Sequence, residues 1–361
     1  MTTQTTVKRL SFLDRFLTLW IFLAMILGII IGNIVPNMDQ KLDAIVPNMD
    51  QKLDALSYGT TNIPLAVGLI LMMYPPLTKV QFSKIPNILS KPKLLLVSFF
   101  ITWIVGPFLM FLLAVFFLRE HSEYMTGLII IGLAPCIAMV IVWNELADGN
   151  RELVAGLVGI NSLLQVFFFS SYAYFYLEIV LPFVGIDGLH LDVSMLEIAQ
   201  TVGVYLGIPF VCAVLSRTWL IRQKGEEWFT RTFIPFVSPI TLISLLFTIV
   251  VMFSLKGKMM LSIPMDVLTI AVPLIIYFAV IFVLMFFVSK KMGASYSDTA
   301  ALSFTASGNN FELAIAVSIG VFGIHSGEAF AGVVGPLVEV PALILLVKFA
   351  QFWRKKWTTN P

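Results

Sequence analysis

Cys136, Glu312 and Glu339 each place reactive chemistry inside an apolar run. Cys136 lies in LIIIGLAPCIAMVIVWNELA, directly after Pro135. A thiolate is a soft ligand that selects thiophilic partners. The plainer alternative is a small apolar filler, and a place beside a proline break keeps both open. Cys212, in GIPFVCAVLS, has no such neighbour and reads as filler. Glu312 follows the polar run Ser307, Gly308, Asn309, Asn310 by two residues, and Glu339 sits in the middle of GPLVEVPALILL. A charge at the bilayer centre costs at least about 2.5–3.5 kcal/mol and marks function by default. No Lys, Arg or His is expected at the same depth, since Lys348 is near enough to a helix end to snorkel. Each carboxyl must then be protonated, or must hold a proton or a metal ion in exchange. For Glu339 a structural carboxyl hydrogen-bonded to a neighbouring helix is the alternative. Asn309, Asn310 and Asn144, with Asn161 and Gln165 at i,i+4 spacing, either line the same cavity or tie helices together.

The elements that carry these residues follow from composition. Of 361 residues 58% are hydrophobic and 12% charged, against about 25% charged in soluble domains. Lipid is therefore the expected solvent for much of the surface. Apolar stretches fall at 14–35, 61–77, 94–118, 124–146, 153–182, 196–220, 233–255, 266–289, 299–323 and 328–352. A span needs about 20 apolar residues, so these predict an all-α polytopic membrane protein of ten helices. The apolar run after Arg15 is too long for a signal peptide and lacks a cleavage site, so it reads as the first span.

Basic residues predict the orientation, because cytoplasmic loops hold the excess of Lys and Arg. Lys8, Arg9 and Arg15 precede helix 1; Lys79, Lys84, Lys91 and Lys93 follow helix 2; Arg217, Arg222, Lys224 and Arg231 follow helix 6. Lys290 and Lys291 follow helix 8, and Arg354, Lys355 and Lys356 close the chain. The opposite loops hold only Lys41, Lys52, Arg119, Lys256 and Lys258, with His121, His190 and His325. The fourth loop is weak, with Arg151 against Glu145, Asp148 and Glu152, but the bias points one way, with both termini expected in the cytoplasm. The segment IVPNMDQKLDA occurs twice in tandem, at 34–44 and 45–55. It reads as a slip duplication tolerated in an exposed loop.

Ten helices divide into five plus five, with 1–184 as the first repeat and 185–361 as the second. An odd number per repeat inverts the second half. Pro135 interrupts helix 4, and Ser307 to Asn310 interrupt helix 9, the fourth helix of each half. Paired interruptions at equivalent positions are the best sequence pointer to a transport site. Freed backbone groups there must be satisfied by protein or by cavity water.

Four segments, NIPLAVGLILMMYPPLTKV (62–80), GLAPCIAMVIVWNELADG (132–149), ASGNNFELAIAV (306–317) and GPLVEVPALI (335–344), resemble the arsenical-resistance arsenite efflux permeases. These belong to the superfamily that includes the bile acid/sodium symporters. The resemblance covers almost the whole chain apart from the duplicated loop. It implies two inverted five-helix repeats arranged as panel and core parts, with helices 4 and 9 discontinuous. It implies a cell-membrane antiporter that expels arsenite, and often antimonite, in exchange for protons. The family's essential cysteine matches Cys136 as the As(III) ligand, and its essential glutamate matches Glu312.

Arsenite at neutral pH is an uncharged trihydroxide with affinity for thiolate, and Cys136 plus oxygen ligands would hold it weakly enough to release. Glu312, with Glu339, would couple proton movement. No cofactor and no nucleic acid are expected. The partners are the substrate, protons and the lipid bilayer, and self-association as a homo-oligomer is compatible with the sequence. A sodium-coupled symporter of an organic anion is the alternative, with Asn309, Asn310 and Glu312 as sodium ligands. An enzyme is not expected, because HExxH, GxSxG and paired aspartates in adjacent helices are all missing.

Overall fold

The computed structural model describes residues 16–34, 63–81, 91–186, 195–255, 263–324 and 326–357. The duplicated loop beyond Ile34, the N-terminal basic residues, Lys41, Lys52, Lys84, His190, Lys256, Lys258 and His325 lie outside them. The described residues form helices in the order α1 (Leu17–Ile34), α2 (Ile63–Thr78), α3 (Pro92–Leu118), α4 (Ser122–Gly132), α5 (Met139–Leu146) and α6 (Arg151–Phe183). There follow α7 (195–224), α8 (226–255), α9 (Ile263–Lys291), α10 (Tyr296–Ser307), α11 (Phe311–Phe322) and α12 (Gly327–Trp357).

Six of these helices are long and apolar enough to cross a membrane: α3, α6, α7, α8, α9 and α12. The chain is a multi-pass membrane protein. Each expected apolar stretch lies on a helix or, at 124–146 and 299–323, on a pair of helices separated by a break. Three boundaries move by a turn or more: α7 runs on to Lys224 and α12 to Trp357, and the largest shift is at the start of α8. Helix α8 begins at Glu226 rather than 233, because its first turns carry charges at a helix end where they can reach water.

Proline shapes the long helices. π-Turns occupy Ile101–Val105, Phe175–Val180, Gly203–Gly207 and Phe229–Phe233. Each ends two residues before a proline: Pro107, Pro182, Pro209 and Pro235. A proline ring clashes with the carbonyl four residues back and offers it no N–H. The ladder slips by one residue to compensate, as where Gly106 N–H donates to the Ile101 carbonyl and Ile208 N–H to that of Gly203.

The helices pack in two groups. Helix α8 lies along α1 and α2, and α7 lies along α2. The hydroxyl of Tyr74 on α2 donates to Ser216 Oγ on α7 at 2.8 Å, and Arg217 donates to the Thr78 carbonyl at 3.1 Å. The second group gathers α3 to α6 and α9 to α12. At one end of it Asp298 joins three helix starts. It accepts from Lys91 Nζ at 2.5 Å and from Asn150 Nδ2 at 2.7 Å, while the Asn150 side-chain oxygen caps α6. The groups meet where the first turns of α7 pack on α6 and α11, and where α12 touches α1. A Cβ on Gly320 of α11 would come within 2.5 Å of Thr201 and 2.8 Å of Tyr205 on α7, so that meeting depends on the missing side chain.

Candidate functional site

Both interrupted segments are broken in the structure, and they cross each other. Residues 133–138 separate α4 from α5, and residues 308–310 separate α10 from α11. The two breaks exchange backbone hydrogen bonds as a one-residue antiparallel bridge between Pro135 and Asn309. Cys136 N–H donates to the Gly308 carbonyl at 2.9 Å, and Asn310 N–H donates to the Ala134 carbonyl at 2.8 Å. Breaking a helix in hydrocarbon strands donors and acceptors; here each break supplies one donor and one acceptor to the other. Gly308 permits the approach, since a Cβ there would lie 3.0 Å from Cys136 Cβ and 3.5 Å from Glu339 Oε1.

Side chains reinforce the crossing. Asn310 caps α11 by accepting from Leu313 N–H at 3.1 Å, and its Nδ2 donates to Gln165 Oε1 at 2.7 Å. Gln165 Nε2 in turn donates to the Pro135 carbonyl at 2.7 Å. Asn309 Nδ2 donates to the Ile131 carbonyl at 3.1 Å and lies 3.5 Å from the Tyr277 hydroxyl. The Asn309 carbonyl oxygen has no partner.

The crossing brings Cys136, Asn309, Asn310, Glu312 and Glu339 together. Cys136 and Glu339 are almost wholly buried, whereas Glu312, in the first turn of α11, is partly exposed. Both carboxyls are close enough to Cys136, and to each other, to interact electrostatically. Glu339 Oε1 lacks a hydrogen-bond partner. No ion pair among the described residues involves either glutamate. No group of three His, Cys, Asp or Glu able to hold a metal ion occurs among them either.

Asn144 is placed differently. It is buried at the far end of α5 and packs on Gly149, where a Cβ would sit 1.9 Å from its side-chain oxygen. Both its side-chain polar atoms lack partners. Asn161 accepts from the Trp103 indole N–H at 3.0 Å, one turn from Gln165. Cys212 is exposed on α7, apart from the crossing.

Sequence reading alone did not single out Tyr277, it named Gly308 only as part of the polar break, and it left Gln165 between two roles. For Tyr277 the available signal was a polar tip in the apolar middle of α9. For Gly308 it was a glycine between two helices that must approach closely.

A helical membrane protein whose polar centre is a pair of broken helices meeting backbone to backbone has the construction of a secondary transporter. Comparison with known proteins agrees: residues 66–263 match the model of the sodium bile acid symporter family. The chain is 45% identical over 353 residues to the arsenical-resistance protein Acr3 of Corynebacterium glutamicum, covering 97% of this chain and 92% of that protein. It is 33% identical to the Acr3 of Alkaliphilus metalliredigens, covering 95% and 93%. It is 32% identical to an uncharacterized transporter of Synechocystis, covering 95% and 90%. This chain belongs to the sodium bile acid symporter family, with arsenical-resistance proteins among its relatives.

Proposed function

We propose that this protein exports arsenite, and also antimonite, from the cytoplasm across the cell membrane in exchange for protons. The observation that carries the reading is the crossing itself. It holds one buried thiol beside two carboxyl groups that have no ion-pair partner among the described residues. The names of two relatives supply the substrate class.

Cys136 bonds to arsenic. The S–As bond forms as one As–OH group leaves with the thiol proton as water, and water reverses the step on the far side. A single thiolate gives weaker holding than three, which suits a carrier that must release. Asn309 presents its unpartnered side-chain oxygen to the remaining arsenic hydroxyls, and Asn310 shapes the site from behind by capping α11 and holding Gln165. Glu312, partly exposed, exchanges the coupled proton, and Glu339 shares it from the buried side. Asn144 serves the substrate further along α5.

The ten-helix reading follows from pairing α4 with α5 and α10 with α11 as single interrupted helices. Residues 1–184 and 185–361 then form inverted repeats, α1, α2, α7 and α8 form the panel, and the rest forms the core. Both termini face the cytoplasm, and alternating access moves core against panel.

A second reading is sodium-coupled import of an organic anion. It draws on the unpartnered oxygens of Asn309 and Glu339, which are ligands suited to a hard cation. Everted membrane vesicles separate the two. Arsenite should accumulate with an imposed proton gradient, survive replacement of sodium by choline, and stop when the proton gradient is collapsed. Accumulation that follows sodium and ignores the proton gradient would contradict the proposal.

A further inference from the structure

We infer that Gln165, on neither broken helix, is the positioning residue that holds the two breaks in register and so sets Cys136 against Glu312. Its amide is used at both ends. Nε2 donates to the carbonyl of Pro135, the residue before Cys136, and Oε1 accepts from Asn310 Nδ2. The orientation of that amide follows from its partners. A carbonyl can only accept, so the group facing Pro135 must be the N–H; the Asn310 oxygen is occupied by Leu313 N–H, so Asn310 can only donate to Gln165.

The result is a chain of bonds from the first turn of α11, where Glu312 sits, through Asn310 and Gln165 to the peptide that carries Cys136. Gln165 is fully buried, and both its bonds are as short as a strong neutral pair allows. The backbone bridge and the Asn309–Ile131 bond tie the two breaks only to each other. The Gln165 clip anchors them to α6, a continuous helix of the same group. Only a group that donates at one end and accepts at the other fits. Leucine offers neither, and an ionised carboxylate offers two acceptors, one of which would face the Pro135 carbonyl. A protonated carboxylic acid reproduces the amide, with O–H toward Pro135 and C=O toward Asn310.

This goes beyond the transport proposal, and its test needs no transported substrate. The measurement is the alkylation rate of Cys136 in purified full-length protein carrying Cys212→Ser, from about pH 5 to about pH 9, a range that covers buried carboxyl groups. Each variant is expressed as a ratio to the parent at the same pH, which removes the intrinsic pH dependence of thiol reactivity. Gln165→Leu should react about tenfold faster at every pH, because two buried hydrogen bonds that keep the crossing shut are gone. Gln165→Glu should match the parent at the acid end and approach Gln165→Leu at the alkaline end, reversibly in one preparation. That reversibility separates positioning from misfolding.

A Gln165→Leu ratio near one would overturn the inference, as would a Gln165→Glu ratio that does not change with pH. The vesicle assay then reports separately. If Gln165→Glu follows the expected labelling profile but no variant or parent moves arsenite, the transport proposal fails and the positioning role stands.

Discussion

At the scale of single residues, the proposal assigns distinct work to sulfur and to the acids, and substitution should separate them. Cys136→Ser keeps the volume and the crossing but removes the soft ligand, so arsenite accumulation in everted vesicles should fall to the level of vesicles without the protein. Retention of more than a small fraction would take Cys136 out of the substrate path. Glu312→Gln keeps the shape but cannot exchange a proton. It should abolish uphill accumulation while leaving arsenite–arsenite exchange measurable, and persistence of proton-driven accumulation would remove it from coupling. Asn310→Ala should lower the midpoint of thermal unfolding in detergent, since a lost helix cap costs about 1 kcal/mol and the bond to Gln165 goes with it. An unchanged midpoint would contradict that capping role. Glu312 and Glu339 could be singled out in the sequence because charge inside an apolar run needs a reason, and Cys136 because it stands beside the Pro135 break, a setting Cys212 lacks. The duty of Gln165 could not, because its two partners lie 30 and 145 positions away along the chain.

At the scale of elements, the breaks between α4 and α5 and between α10 and α11 were foreseeable from Pro135 and from the polar run ending at Asn310. What could not be read was that each break supplies a donor and an acceptor to the other, because no local pattern encodes a partner so far off in sequence. The same holds for glycines that admit a neighbour. A Cβ on Gly335 of α12 would sit 1.9 Å from the ring of Phe311, the first residue of α11. Gly335→Ala should therefore push α12 off the start of α11, displacing both Glu339 and Glu312. Overpacking of this kind costs about 1–3 kcal/mol. Thermal unfolding should shift down and transport should fall together. A variant with unchanged unfolding and wild-type transport would show that the contact yields freely.

At the scale of the whole molecule, composition and hydrophobic runs made the helical membrane architecture readable, since a chain with 12% charged residues cannot present a solvated surface. The division of helices into two packed groups was not readable, because lipid-facing and helix-facing apolar side chains look alike in sequence. Phe282 and Phe286 are buried in α9, whereas Phe236 and Phe183 are exposed, and nothing in residue type separates them. The two groups meet in part through Gly320 on α11 and Thr201 and Tyr205 on α7. On the proposed function, alternating access requires that meeting to loosen and re-form, so Gly320→Val should slow arsenite transport more than it lowers thermal stability; equal losses of both would contradict this.

The central claim, that the crossing presents a single thiol to the substrate, is tested most directly by arsenic X-ray absorption on purified protein with bound arsenite. The account predicts one sulfur and two oxygens around arsenic, with the sulfur lost in Cys136→Ser and retained in Cys212→Ser. Arsenic surrounded only by oxygen in the parent protein, or a sulfur that survives Cys136→Ser, would contradict it.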